Sequence, residues 1–355
     1  YSPEEGGSAD RISVVAQDVK TGEILAMVNY PTYDLSDYYT KYSELSSDPL
    51  HPLINYCTQG IYMPGSIYTP VVGIGAIASG VIVGDTMIEC KQIYQTGTDY
   101  NPRCLGLHGP INIQYALMVS CNYFFYEAGT RQGIDNIVKY SEQLGLGVES
   151  GIELSEATGH VSCPEYYESV RDGQVGGTWT YGTVLQSSIG QLDNAYTPLQ
   201  MANYVATLAN DGTRMRSHLV KSVESYNLEE TISVTEPEVL NQVEADQEAF
   251  DQVREGMVRC SRDTTRGSAR YYFGDYPIDV AAKTGTPRAS GGDLDATFIA
   301  YAPAYDPEIA VAVVVENGYS GQRGAPIAKA IFNEYFGLNE ETETQQQNTD
   351  GQLIP

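Results

Sequence analysis

Three short polar motifs interrupt apolar segments of the chain, and each carries side chains that can take part in chemistry. Residues 64–66 read Pro-Gly-Ser at the predicted start of a buried helix, where the helix dipole favours an anion or an ionising hydroxyl. Ser120 and Asn122 stand two residues apart in an apolar segment, where buried polar groups need hydrogen-bond partners. Residues 283–286 read Lys-Thr-Gly-Thr after a short apolar run, so a cation lies beside a backbone that a ligand can approach. Together the motifs supply a nucleophile, a polar pair and an anion clamp.

Each motif alone also has an ordinary structural explanation. Ser66 fits a simple helix N-cap, since serine is a favoured cap. Ser120 and Asn122 fit polar groups that satisfy the end of a helix. Lys-Thr-Gly also occurs at residues 20–22, where it predicts a plain turn. The order and spacing of the three motifs, rather than any one of them, therefore indicate a site.

The elements that must position these motifs fall into two groups. Apolar runs and alternating apolar residues predict a hairpin over 12–31 with its turn at 20–22, and strands at 279–282, 296–303 and 308–316. Helical periodicity predicts helices from Ser66 to about residue 83 and over 113–129, 133–144, 197–209, 245–259 and 324–336. This order predicts an α+β fold. Its antiparallel sheet joins the N-terminal hairpin to a C-terminal meander, flanked by helices and a mostly helical subdomain.

Composition limits the possible partners. The chain has 355 residues and a formal net charge of −26. Nucleic acids and anionic membranes both bind basic surfaces, so we expect no nucleic-acid partner and no binding to anionic lipid. Because 42% of residues are hydrophobic and only 19% are charged, a disordered acidic chain is excluded. The apolar stretch 71–83 is shorter than the roughly 20 residues needed to span a bilayer, which predicts a buried helix. We expect a linker over 1–10, one domain over 11–336 and a flexible polar tail over 337–355.

The motifs resemble the signature of the penicillin-binding protein transpeptidases, which is S-x-x-K, then S-x-N, then K-T-G. The resemblance extends from about residue 11 to 336. It includes TGEILAMVNYPTYD in the hairpin, LHG at 107–109 and TPLQMANYVATLANDG at 197–212. The pattern is similar to class B, the monofunctional D,D-transpeptidases. It implies the fold that penicillin-binding proteins share with β-lactamases.

The resemblance also implies residue roles. Ser66 would attack the D-Ala-D-Ala carbonyl of a peptidoglycan stem peptide, or a β-lactam, and form an acyl-enzyme. Ser120 and Asn122 would shuttle protons and hold the substrate amide. The implied substrate-binding residues are Lys283, Thr284, Gly285 and Thr286. Of these, Lys283 and Thr284 would bind the terminal carboxylate, and the Thr286 amide would join that of Ser66 in an oxyanion hole.

The resemblance implies no cofactor and no metal. It implies further partners among the proteins of a cell-wall synthesis complex, and a domain outside the cytoplasm that meets the membrane only through an N-terminal anchor. A second departure follows the IGQ motif, where the family usually has a glycine and this chain has Leu192.

One departure from the signature affects the chemistry directly. The family's first lysine, three residues after the nucleophile, is Thr69 here. In the family this lysine is the leading candidate for the base that activates the serine, and general-base assistance is typically worth about 10²–10⁴-fold. We therefore expect impaired acylation, and we expect Lys283 to be the one lysine left in the cleft to hold the anion. Lys283 would serve as a substitute catalytic base only if it gave up the carboxylate. Three explanations stay open for Thr69: a natural pseudo-transpeptidase, a rerouted proton path, or an engineered change.

Four other functions are weighed against this one. A non-enzymatic scaffold or ligand sensor of a cell-wall complex is supported by Thr69. A β-lactamase needs a deacylating Glu, whereas GIELSEATGH at 151–160 fits the transpeptidase pattern. A metal site is suggested by the spacing of Cys104, His108, His160 and Cys163, although a Cys90–Cys104 bridge explains the cysteines better. An unrelated Ser-His-Asp hydrolase is disfavoured because no G-x-S-x-G is present.

Overall fold

The computed structural model describes residues 9–172, 174, 177–289 and 292–339. The strands are β1 (Ile12–Asp18), β2 (Ile24–Tyr30), β3 (Ile88–Cys90), β4 (Gly109–Ile111), β5 (Thr213–Met215), β6 (Ser222–Glu224), β7 (Thr231–Val234), β8 (Val239–Gln242), β9 (Ala281–Gly285), β10 (Ala296–Ala302) and β11 (Ile309–Val315). The helices are α1 (Tyr42–Ser47), α2 (Tyr56–Gln59), α3 (Thr69–Ala78), α4 (Ile113–Met118), α5 (Asn122–Gln132), α6 (Ile134–Gln143), α7 (Pro164–Ser169), α8 (Tyr181–Ser187), α9 (Pro198–Ala209), α10 (Gln247–Arg262), α11 (Arg270–Phe273) and α12 (Ala325–Tyr335).

The central sheet has five antiparallel strands in the order β2-β1-β11-β10-β9. The N-terminal hairpin therefore joins the C-terminal meander, which confirms the predicted α+β arrangement. Strand β1 pairs with β11, so that Val14 faces Val313 across the ladder, and β10 pairs with β9. The terminal elements of the chain thus build one sheet, and its edge strand β9 carries the Lys-Thr-Gly motif.

Strands β10 and β11 are buried along their whole length because helices cover both faces of the sheet. On one face, Phe298 and Val313 belong to a core cluster with Phe332 of α12. On the other face, Ile299 and Val314 belong to the larger cluster that contains Tyr204 of α9. Burial on both faces explains why the two strands are almost uninterrupted apolar runs.

Helix α3 lies at the centre of the helical part of the molecule. It contacts α5, α6 and α10, and its residues from Thr69 to Ala76 are all buried. The structure confirms a buried helix after Ser66, although α3 ends at Ala78, earlier than the predicted residue 83. Across the described residues, no helix combines the length and apolar character required to cross a bilayer.

One predicted helix is wrong. The segment 113–129 is not continuous, because α4 ends at Met118 and α5 begins at Asn122. Ser120 between them has φ of +53°, in the left-handed region, and a residue in that conformation cannot continue a right-handed helix. Most of the expected linker and tail lies outside the described residues, so the domain limits stay predictions.

Candidate active site

Ser66 lies in a single 3₁₀ turn, Gly65–Tyr68, that leads directly into α3. Two contacts fix this turn: the Gly65 amide donates to the Gly190 carbonyl at 2.9 Å, and Thr297 Oγ1 donates to the Pro64 carbonyl at 2.7 Å. Gly65 has φ of +58°, which favours glycine. The nucleophile candidate is therefore held between the sheet edge and the helical part, with its side chain half-buried.

Ser120 and Asn122 reach the same place from the break between α4 and α5. The left-handed backbone at Ser120 ends one helix, and Asn122 begins the next. Both side chains are half-buried and line one cleft with Ser66. The break between α4 and α5, which the apolar pattern did not predict, thus places Ser120 and Asn122 at the cleft.

Lys283 lies on β9 and is completely buried. Its Nζ donates to Ser120 Oγ at 3.0 Å and to the Thr284 carbonyl at 3.1 Å. Burial lowers the pKa of the amine to about 8, because a charged group loses hydration there, while the nearby Cys260 acts in the opposite direction. The structure therefore brings Lys283 to the serine of the second motif.

The remaining residues of the third motif line the edge of the sheet. The hydroxyls of Thr284 and Ser268 lie 2.8 Å apart, and Thr286 Oγ1 accepts from the Gly321 amide at 3.0 Å. A Cβ at Gly285 would lie only 2.6 Å from the Pro64 carbonyl oxygen. Glycine is therefore required where β9 passes the turn that carries Ser66.

A cleft of about 720 Å³ unites these groups. Its lining includes the predicted residues Ser66, Ser120, Asn122, Thr284 and Thr286. It also includes residues that the sequence analysis missed, namely Arg103, Gln186, Gln191, Ser268 and Arg288. Except for Gln191, which belongs to the IGQ motif, these residues come from segments that no motif marked, so sequence patterns did not indicate them. Arg103 and Arg288 therefore supply positive charge in the cleft that the sequence analysis, which expected Lys283 to hold the anion, did not anticipate.

A family model for the penicillin-binding protein transpeptidase domain matches residues 12–337. The chain belongs to this transpeptidase family. The D,D-transpeptidase MrdA of Acinetobacter baumannii is 30% identical over 348 residues, which cover 91% of this chain and 50% of that protein. PbpA of Mycolicibacterium smegmatis is 31% identical over 345 residues, covering 91% of this chain and 66% of PbpA. The chain thus spans between half and two thirds of the length of these relatives.

Solved structures agree with this membership. PBP2 of Pseudomonas aeruginosa, in complex with WCK 5153, superposes with a TM-score of 0.82 at 29% identity, over 94% of this chain and 74% of that one. The ceftriaxone acyl-enzyme of penicillin-binding protein A from M. tuberculosis superposes with a TM-score of 0.78 at 26% identity, over 90% and 73% of the two chains. These likenesses confirm the fold that the motifs implied.

Two positions depart from the family signature. Thr69 is completely buried, and its hydroxyl donates to the Ser66 carbonyl at 2.8 Å. Its proton is therefore engaged by the backbone of the turn that carries Ser66. Leu192 has φ of +68°, the left-handed conformation that glycine adopts without steric cost.

The transpeptidase domain also contains a cluster of metal-ligand atoms beside Ser120. The Sγ atoms of Cys90, Cys104 and Cys121 and a ring nitrogen of His108 all lie within 4.8 Å of one another. His108 Nδ1 is 3.5 Å from Cys90 Sγ and 3.6 Å from Cys104 Sγ, and the Sγ atoms of Cys104 and Cys121 are 3.6 Å apart. A zinc tetrahedron with ordinary Zn–S and Zn–N bonds has edges of about 3.6–3.8 Å. The cluster therefore has the donors and spacing to hold zinc.

This cluster changes both expectations about the cysteines. All six are free thiols in the structure, so the expected Cys90–Cys104 bridge is not formed. The suggested ligand set is also divided, because His160 stacks on Tyr166 with 4.1 Å between ring centroids and is not part of the cluster, and neither is Cys163. The hydrogen bond between the Sγ atoms of Cys104 and Cys121 lowers the pKa of Cys104, which favours a thiolate at the cluster.

Proposed function

We propose that this domain is a D,D-transpeptidase of peptidoglycan synthesis that works through an acyl-enzyme on Ser66. The observation that carries the proposal is the convergence of all three motifs on one cleft. Ser66, Ser120 and Thr284 line this cleft. Lys283, which is buried outside the lining, donates a hydrogen bond to Ser120. A hydroxyl nucleophile, a polar pair and an adjoining strand edge are the groups that acyl transfer from a peptide needs.

In the proposed reaction, Ser66 Oγ attacks the carbonyl carbon of the D-Ala-D-Ala bond and the terminal D-Ala leaves as an amine. The amides of Ser66 and Thr286 would stabilise the oxyanion. Asn122 would hold the substrate amide, and Thr284 and Gly285 would position the substrate along β9. An amine from a second stem peptide then takes the acyl group and restores the Ser66 hydroxyl.

The substitution at residue 69 supports a slow enzyme rather than an efficient one. A threonine hydroxyl is a poor proton acceptor at neutral pH, and this one already donates to the Ser66 carbonyl. Loss of general-base assistance costs about 10²–10⁴-fold. The second candidate function, a pseudo-transpeptidase that serves as a scaffold or ligand sensor, is favoured by the same contact.

Ligands and partners are proposed from the relatives. Penicillin-binding protein A of M. tuberculosis forms acyl-enzymes with penicillin G and ceftriaxone, so we propose that Ser66 reacts with β-lactams. A chain 26% identical to this one, with a TM-score of 0.81, belongs to a peptidoglycan synthase complex that coordinates polymerisation and crosslinking. We propose a comparable complex for this domain, outside the cytoplasm.

Intact mass after exposure to penicillin G tests the acyl-enzyme. We expect a single adduct on the parent domain and none on Ser66→Ala. If Thr69→Lys forms the adduct while the parent does not, the domain is the pseudo-transpeptidase. If neither protein reacts, the acyl-transfer proposal is wrong.

A further inference from the structure

The cleft offers no conventional base for Ser66. Its lining, in the part of the chain that the structure describes, consists of arginine, serine, threonine, asparagine, glutamine, glycine and apolar side chains. It contains no described carboxylate, imidazole, phenol, thiol or lysine amine, and arginine cannot be deprotonated in a protein. Thr69 does not line the cleft. Among the described groups of the lining, only hydroxyls and amides can pass on a proton that leaves Ser66.

One lining hydroxyl is hydrogen-bonded to an amine. Ser120 Oγ faces the cleft and lies 3.0 Å from Lys283 Nζ, which is fully buried behind it. The second acceptor of that amine, the Thr284 carbonyl, is neutral as well, so both hydrogen bonds permit an uncharged lysine. A hydroxyl can accept a proton on one side while it gives up its own on the other. Ser120 is therefore placed to connect the cleft with Lys283.

We propose that Lys283 is the terminal proton acceptor for acylation of Ser66 and that the Ser120 hydroxyl relays the proton, which replaces the base lost at residue 69. This rests on the proposed acyl transfer. As Ser66 Oγ forms its bond to the carbonyl carbon, its proton moves to Ser120 Oγ and the Ser120 proton moves to neutral Lys283 Nζ. The same path in reverse protonates the leaving nitrogen when the C–N bond breaks, so Lys283 ends neutral.

The surroundings of Lys283 suit this role. Four elements pack against β9. Helix α10 contributes the Cys260 thiol, and β10 places apolar Ile299 opposite Lys283. The turn Gly65–Tyr68 contributes Tyr68, whose hydroxyl bonds Ser141, and the turn Gly321–Gly324 includes Arg323.

Burial brings the pKa of Lys283 close to neutrality, so a neutral amine is accessible. The amine does not line the cleft, whereas Arg103 and Arg288 do. Positive charge for an anionic ligand is therefore available without Lys283, which leaves the amine free to act as a base.

The test measures the rate of acylation by penicillin G, at saturating and subsaturating concentrations, from pH 6 to 10. We expect the saturated rate of the parent to rise about tenfold per pH unit and to level above about pH 8, because only neutral Lys283 accepts a proton. Lys283→Arg keeps the charge but cannot accept a proton, and should lower the saturated rate by at least about 100-fold with little change in half-saturation. If Lys283→Arg stays within threefold of the parent, or the parent profile is flat, the relay is wrong.

A double variant separates proton transfer from mere loss of structure. Thr69→Lys restores an amine beside Ser66, so in the Lys283→Arg background it should recover at least about tenfold of the lost rate and remove the rise toward pH 8. A damaged fold would not be rescued in this way, and absence of rescue contradicts the relay. Ser120→Ala, which leaves Lys283 in place, should also lose the pH-dependent rate.

If Thr69→Lys is acylated but the parent forms no adduct even at pH 9, both the relay and the activity of this chain fail. An adduct without the pH signature removes only the relay.

Discussion

The hydroxyl of Thr69 donates to the carbonyl oxygen of Ser66 at 2.8 Å. Thr69 therefore stabilises the backbone of the turn that carries Ser66 and offers no base to the Ser66 hydroxyl. In the family signature this residue is a lysine. The side chain that would activate Ser66 is therefore absent, while the turn that presents Ser66 is intact.

Thr69→Lys should raise the rate at which penicillin G acylates Ser66 at pH 7. An amine three residues from Ser66 supplies general-base assistance in addition to the proposed Lys283 relay, so we expect about tenfold or more. Stopped-flow or quench-flow mass measurements give the rate. Thr69→Val is the matched control: it removes the hydroxyl without adding a base and should acylate at the parent rate. A large loss in Thr69→Val would show that the threonine hydroxyl itself takes part in the reaction.

Removal of Arg288 should weaken the noncovalent binding of anionic ligands. Arg288 lines the cleft of a chain whose formal net charge is −26, so its local positive charge offsets the repulsion of a carboxylate. We expect Arg288→Gln to raise the half-saturating concentration of penicillin G by about three- to tenfold, corresponding to about 1 kcal/mol, and to leave the saturated acylation rate unchanged. Titration of the acylation rate separates the two. An unchanged half-saturating concentration would mean that groups other than Arg288 bind the anion, and Arg103→Gln would be the next variant to measure.

The cysteine cluster should carry zinc. We infer about one zinc per chain in protein purified without chelator, measured by elemental analysis, because three thiols and one imidazole at tetrahedral spacing match a structural zinc set. Cys104→Ser should reduce zinc affinity by at least about tenfold. Cys57→Ser, at a buried cysteine outside the cluster, is the control and should retain the metal. Metal-free parent protein would contradict the assignment.

The same cluster predicts a consequence for the site. Cys121 is the residue between Ser120 and Asn122, so an ion on its Sγ would restrain the break between α4 and α5. Chelation should therefore lower the thermal midpoint of the parent and not that of Cys104→Ser. Differential scanning fluorimetry with and without chelator measures this. An equal response of both proteins would mean that the cluster has no part in the effect.

Leu192→Gly should stabilise the domain. Leu192 has φ of +68°, and a non-glycine residue in the left-handed region costs about 1–2 kcal/mol. Part of that gain is offset because glycine loses more backbone entropy on folding, so we expect a net gain of about 0.5–1 kcal/mol. Denaturant unfolding gives the value. Leu192→Ala keeps the unfavourable φ and should not be stabilised, and a stabilised Ala variant would point to side-chain packing instead.

The sequence by itself determined the fold class and most of the candidate site. Almost uninterrupted apolar runs predicted β10 and β11, because strands buried on both faces hold few polar side chains, and alternating apolar residues predicted the hairpin of β1 and β2. Three motifs with fixed spacing indicated Ser66, Ser120, Asn122 and the Lys-Thr-Gly strand, since each has a polar group where the local pattern is otherwise apolar. The absence of a lysine at residue 69 was also visible without coordinates.

Only the tertiary structure decided what these residues contact. The left-handed backbone at Ser120 breaks a segment whose composition alone predicts one helix. Packing against neighbouring elements can override the local helix propensity. The bond between Lys283 and Ser120 joins positions 163 residues apart, and the cleft adds Arg103 and Arg288 from separate loops. Of the four residues in the thiol–imidazole cluster, the sequence suggested Cys104 and His108, and only the structure adds Cys90 and Cys121. Contacts of this kind depend on how elements that are distant in the sequence pack together. The order of residue types along the chain does not specify which of these elements come close in space.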